Sequence, residues 1–161
     1  MKRKMGFFLA GALLLAPSLF AQSPHFVSVT AAVNSKGALV ISYKEAGLAG
    51  GETINYIAKA DYSAKWGCVS KGEDRPQTDR KHVVEGPVSG TTTDEAEKNG
   101  QISGSISLSA PEPAAEKLQC TENQEAVLFS VTFSKVLLED YTNLITATVG
   151  GTYTANFHPS E

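Results

Sequence analysis

Tyr56-Ile57-Ala58-Lys59-Ala60-Asp61-Tyr62-Ser63-Ala64-Lys65-Trp66-Gly67-Cys68 decides the fold. Its even positions are Tyr56, Ala58, Ala60, Tyr62, Ala64, Trp66 and Cys68; its odd positions include Lys59, Asp61, Ser63 and Lys65. Strand side chains alternate between faces, so this segment is a strand with one aromatic, small-residue face and one charged face. Burying unpaired charge costs far more than exposing a ring, so the aromatic face is the core face. Trp66 is therefore expected to be buried, with the Cys68 thiol pointing inward beside it. The run is long for one strand, and a bend or bulge is expected near Asp61.

The same period of two recurs on both sides. Residues 26–33 and 38–43 read as strands around the turn cluster Asn34-Ser35-Lys36-Gly37, together a hairpin. Gly47, Gly50 and Gly51 mark the next loop. After Cys68, residues 70–81 read as a polar loop. Residues 83–89 read as a weaker strand, an edge strand because Pro87 lies inside it. Residues 91–99 are polar and acidic, and Asn99-Gly100 is a turn signal. Ile102, Ile106 and Leu108 alternate with Ser103, Ser105 and Ser107, a strand with one serine face. Residues 111–116 read as a loop with room for one helical turn. Val127, Phe129, Val131 and Phe133 mark the best candidate for a central strand. A strand over 144–149, a two-residue hairpin turn at Gly150-Gly151 and a last strand over 153–157 complete the chain. Seven or eight antiparallel strands and no three-turn amphipathic helix predict an all-β, single-domain β-sandwich with one disulfide. An immunoglobulin-like topology is the first expectation, and a jelly roll or open barrel the alternative. Trp66 precedes both cysteines, which departs from the Cys…Trp…Cys order of a true immunoglobulin domain.

Residues 1–21 have the layout of a secretory signal peptide. Lys2, Arg3 and Lys4 are followed by an apolar run from Gly6 to Phe20 and by the small residue Ala21. The run is about 15 residues, short of the roughly 20 that a membrane-spanning helix needs. Cleavage after Ala21 leaves 22–161 as one domain, with no transmembrane segment, secreted or periplasmic. The leader takes three of the 14 basic residues and none of the 17 acidic ones, so the remainder is markedly acidic. Such a chain is a poor match for nucleic acid, whose affinity comes from neutralising phosphate.

Cys68 and Cys120 are the two cysteines. In an exported chain an isolated pair reads as a structural disulfide. Closing a loop of about 50 residues is worth roughly 4 kcal/mol in the chain-entropy model. His25, His82 and His158 stand at no metal-ligand spacing. No G-x-S-x-G occurs, and the sheet pattern accounts for the serines. The carboxylates Glu73, Asp74, Asp79, Asp94, Glu95 and Glu97 fall in predicted loops and read as solvated. Tyr141 and Tyr153, near strand ends, are the better candidates for exposed contacts. No catalytic residue, metal site or cofactor is assigned.

The middle of the chain resembles a family of small secreted disulfide-bonded β proteins of bacteria and fungi with no assigned activity. The likeness rests on Val40 to Leu48, Tyr56 with Ala60-Asp61, Gly67-Cys68-Val69, the loop ending at Lys81, Asn99 to Ile102, Cys120 near Gln124, and Val127 to Phe133. It implies a secreted β-fold with a disulfide and adds no catalytic residue. The expected role is a non-enzymatic binding or interaction module with an extracellular or envelope partner. A small secreted hydrolase, or an inhibitor of one, is the alternative.

Overall fold

The computed structural model describes residues 23–71 and 76–157, with backbone alone for 76–80 and 115–116. The chain forms β1 His25–Val33, β2 Ala38–Ala46, β3 Thr53–Ser70, β4 Pro76–Glu95, β5 Gln101–Ser109, the short helix α1 Ala115–Leu118, β6 Gln124–Asp140, β7 Ile145–Val149 and β8 Tyr153–Asn156. These strands make two antiparallel sheets. One runs β1-β2-β5; the other runs β4-β3-β6-β7, with β8 also paired to β6. The expected all-β sandwich with one disulfide is the observed fold. The leader over 1–21 lies outside the described residues. Among those described, no helix is long and apolar enough to cross a membrane.

Alternation builds the core as the sequence predicts. Ile54, Tyr56, Ala58, Ala60, Tyr62 and Ala64 of β3 are buried against Leu39, Ile41 and Tyr43 of β2 and Ile102, Ile106 and Leu108 of β5. Val131, Phe133, Val136 and Leu138 of β6 complete it. The step from odd to even numbering along β6 is a bulge. Lys59 pairs with Leu137 but Asp61 pairs with Ser134. The bend expected near Asp61 is therefore present, with the extra residue on the partner strand. Lys135 takes it up with a φ of 51°.

Four local expectations are corrected. The polar loop assigned to 70–81 is shorter, because strand pairing resumes at Pro76, opposite Val69. The acidic stretch 91–99 is strand up to Glu95, with Thr91, Thr92 and Thr93 opposite Ile57, Tyr56 and Asn55. Polar residues are compatible with a strand here, since threonine is β-branched and β4 is an edge with a solvent face. Gly150-Gly151 is not a hairpin turn. β7 and β8 both pair antiparallel to β6 and so run in the same direction, Val149 opposite Val136 and Tyr153 opposite Phe133. The two glycines carry the chain past the Lys135 bulge. Trp66 is half-buried rather than buried. The three-stranded sheet is nine residues long where β3 has eighteen, roughly 30 Å against 60 Å, and Trp66 sits near the end of the shared core.

Cys68 and Cys120 are joined, their Cα atoms 5.5 Å apart. The bridge ties the end of β3 to the connection after α1, not one sheet to the other. Cys68, Val69, Leu118 and Phe129 are buried outside the main core. Phe129 lies over Gly67, where any side chain would collide with its ring. Lys81 covers the ring with its ammonium 5.6 Å from the centroid.

Candidate functional site

Two carboxylates lie on the core faces of their strands. Glu45 follows Leu39, Ile41 and Tyr43 in phase on β2, and Asp140 follows Val136 and Leu138 in phase on β6. Both are fully buried, at 0% exposure. They meet at the end of the sandwich where Tyr56 of β3 pairs with Asp140. The Tyr56 hydroxyl donates to Glu45 Oε2 at 2.7 Å. Asp140 Oδ1 accepts the backbone N–H groups of Thr142 at 2.8 Å and Asn143 at 2.9 Å. Its Oδ2 accepts the Asn143 side-chain amide at 2.7 Å. Glu45 Oε1 is buried with no hydrogen-bond partner.

A second tyrosine–carboxylate bond crosses between the sheets beside the first. The Tyr43 hydroxyl of β2 donates to Asp94 Oδ2 of β4. The Tyr43 and Tyr56 rings pack with centroids 4.5 Å apart, and the Phe26 ring lies 6.4 Å from that of Tyr56. Gly104, opposite Tyr43 on β5, makes the space. A Cβ there would stand 2.6 Å from the Tyr43 hydroxyl and 2.7 Å from Asp94 Oδ2.

Burial sets the electrostatics of this cluster. Burial above all, opposed by the Tyr56 bond and reinforced by Asp140 and Glu52, brings the Glu45 carboxyl up to about 7. Burial, then the bond to Asp94, drives the Tyr43 phenol well above its ordinary value. Burial, then the bond to Glu45, does the same for Tyr56. Both phenols are fixed donors across the neutral range.

The exposed features are simpler. A depression of about 360 Å³ on the outer face of the larger sheet is lined by Asp61, Ser63, Glu85, Pro87, Thr132 and Ser134, among others. Its two carboxylates are engaged: Asp61 with Lys135 at 2.7 Å, Glu85 with the Ser63 hydroxyl at 2.8 Å. A smaller recess of about 230 Å³ gathers Lys81, His82, Lys117, Leu118 and Gln119. His25 bonds the Ser23 carbonyl at 2.8 Å. Glu73, Asp74 and His158 lie outside the described residues, as does the Asp79 side chain. Glu95 and Glu97 are exposed, as expected. Asp94 is not a solvated loop residue but the partner of Tyr43. Among the described residues no group of three or more His, Cys, Asp or Glu side chains could hold a metal.

Tyr141 is 63% exposed and Leu144 77%, the two ends of the turn that Asp140 pins. The Tyr141 N–H bonds the Asn55 carbonyl at 2.8 Å, and the Asn55 N–H bonds the Thr142 hydroxyl at 3.0 Å. Tyr153 is less available, since its hydroxyl closes on the Gly150 carbonyl at 2.8 Å. Sequence reasoning misses Glu45 and Asp140 because a carboxylate's type argues for a solvated loop. Their phase with Leu39, Ile41, Val136 and Leu138 was the available signal. No family model, curated protein or solved structure matches the chain.

Proposed function

We propose that this chain is an exported, non-enzymatic contact module that engages a protein partner outside the cytoplasm through the Tyr141–Leu144 turn. The carrying observation is the turn itself: an aromatic and a leucine project into solvent from a segment held by five hydrogen bonds. Large side chains on a pre-ordered backbone lose little freedom on binding, which is where interface energy concentrates. Glu52, Glu95 and Glu97 stand on the neighbouring loops and strand end, and the chain as a whole is acidic. The partner surface that fits is an apolar pocket with a basic rim. The disulfide fits an oxidising compartment. The strand order β1-β2-β5 against β4-β3-β6-β7 supports an immunoglobulin-like reading, with the bridge moved off its usual sheet-to-sheet position.

The rival reading is hydrolysis. The carboxylate with the altered proton affinity is sealed from any substrate, and the open depression holds carboxylates already engaged. A photo-crosslinker at position 144 tests the proposal in the secreting cell, with one at Ser105 as control. A single adduct at 144, absent at 105 and lost on Tyr141→Ser, is the expected result. No adduct at 144, or turnover of ester, peptide or glycoside substrates by the purified protein, would overturn it.

A further inference from the structure

We propose that Glu45 and Asp140 share one proton, and that this proton latches the Tyr141–Leu144 turn to the core. The geometry leaves few other arrangements. Both carboxyl groups are sealed from water, and Asp140 lies within hydrogen-bonding reach of Glu45. Two ionised carboxylates cannot stay together in an apolar interior at low cost. Asp140 is the one surrounded by donors, from Thr142 and Asn143, and so carries the negative charge. Glu45 has one oxygen satisfied by Tyr56 and one orphaned. A proton on the orphaned Oε1 makes it a donor, and Asp140 is the acceptor at hand. That proton removes the orphan and the charge repulsion together.

The groups facing Glu45 from each packed element agree. Tyr56 of β3 donates to it; Tyr43, on its own strand, is committed to Asp94 of β4. Glu52, from the connecting loop, adds further negative potential. Phe26, its neighbour on β1, is neutral, and His25 is exposed and bonded to Ser23. No cation in this set offsets a second charge. The position of Glu45, pushed up to about 7, puts loss of the proton at neutral pH. On that loss the proton passes to water and two buried carboxylates repel. Asp140 is the acceptor that holds the Thr142 and Asn143 amides, so the turn loosens as the pair separates. This latch operates whether or not the turn is the contact surface.

The wild-type protein supplies the first test. Carboxyl-carbon NMR should show Glu45 titrating near neutrality, and a midpoint below 5 would overturn the shared proton. Hydrogen exchange, corrected for intrinsic rates, should show protection of the Thr142 and Asn143 amides falling by up to about tenfold per unit of pH between the ordinary carboxyl value of 4.5 and that midpoint, and levelling above it, one proton being lost. Glu45→Gln keeps a neutral donor facing Asp140, so protection should become flat with pH. Unchanged protection in the wild type, or the same decline in Glu45→Gln, would reduce Glu45 to an inert buried acid and overturn the latch.

Discussion

Tyr43 and Tyr56 pack ring against ring, 4.5 Å apart, and send their hydroxyls to carboxylates on opposite sheets. Tyr43, on the smaller sheet, reaches Asp94 on the larger; Tyr56, on the larger, reaches Glu45 on the smaller. The sheets are thus joined at one end by reciprocal polar bonds inside an apolar core. Hydrogen bonds to buried carboxylates are expensive to leave unmade, which makes this crossing sensitive to small changes.

Tyr56→Phe should destabilise the fold by about 1–3 kcal/mol, since it strands Glu45 Oε2 in the core, and Tyr43→Phe by about 1 kcal/mol, since the half-buried Asp94 keeps access to water. The double variant should cost less or more than the sum by at least about 0.5 kcal/mol, because the rings touch. Urea unfolding of the four proteins measures both.

Gly104→Ala should cost about 1–3 kcal/mol, because its Cβ would intrude between Tyr43 and Asp94. Gly150→Ala is the matched control: nothing lies within 4 Å of a Cβ there. Equal unfolding midpoints for the two variants would refute the packing at Gly104.

Stability should fall as pH rises from about 4.5 to about 7. The folded state holds the Glu45 proton to about 7, whereas the unfolded chain releases it at the ordinary 4.5. Between those values the folded state binds more protons, so raising the pH favours unfolding. The full difference is roughly 3 kcal/mol, reached above neutrality. Unfolding curves at several pH values should show it as the wild-type slope minus that of Glu45→Gln.

Free-thiol titration of denatured, unreduced protein should find no thiol. Replacing Cys68 and Cys120 together by alanine should cost about 2–4 kcal/mol. Iodide should quench Trp66 fluorescence partially, in keeping with its half-buried position, and complete resistance or full quenching would contradict that placement.

Where period and burial coincide, the sequence was sufficient: the β3 face from Tyr56 to Ala64, the serine face of β5 and the central place of β6 were all legible. Local signals failed where the deciding partner was remote. Gly150-Gly151 has the composition of a hairpin, but its conformation answers a bulge at Lys135, fifteen residues earlier on the strand it pairs with. The start of β4 looked like loop because an edge strand needs no apolar residue on its solvent face. Glu45 and Asp140 were overlooked because their type argues for water while their phase argues for the core, and phase prevailed.

The interrupted edge has a further consequence. A strand lying at the rim of a sheet is a template for polymerisation, since its free amides and carbonyls invite another chain. Beside β6 that rim is split into two short pieces, five and four residues long, by Gly150-Gly151. At the opposite rim β4 carries Pro87, which has no amide to offer. Both borders of the long sheet are thus interrupted, one by a break and one by a proline, which are devices that blunt a sheet edge against an incoming strand.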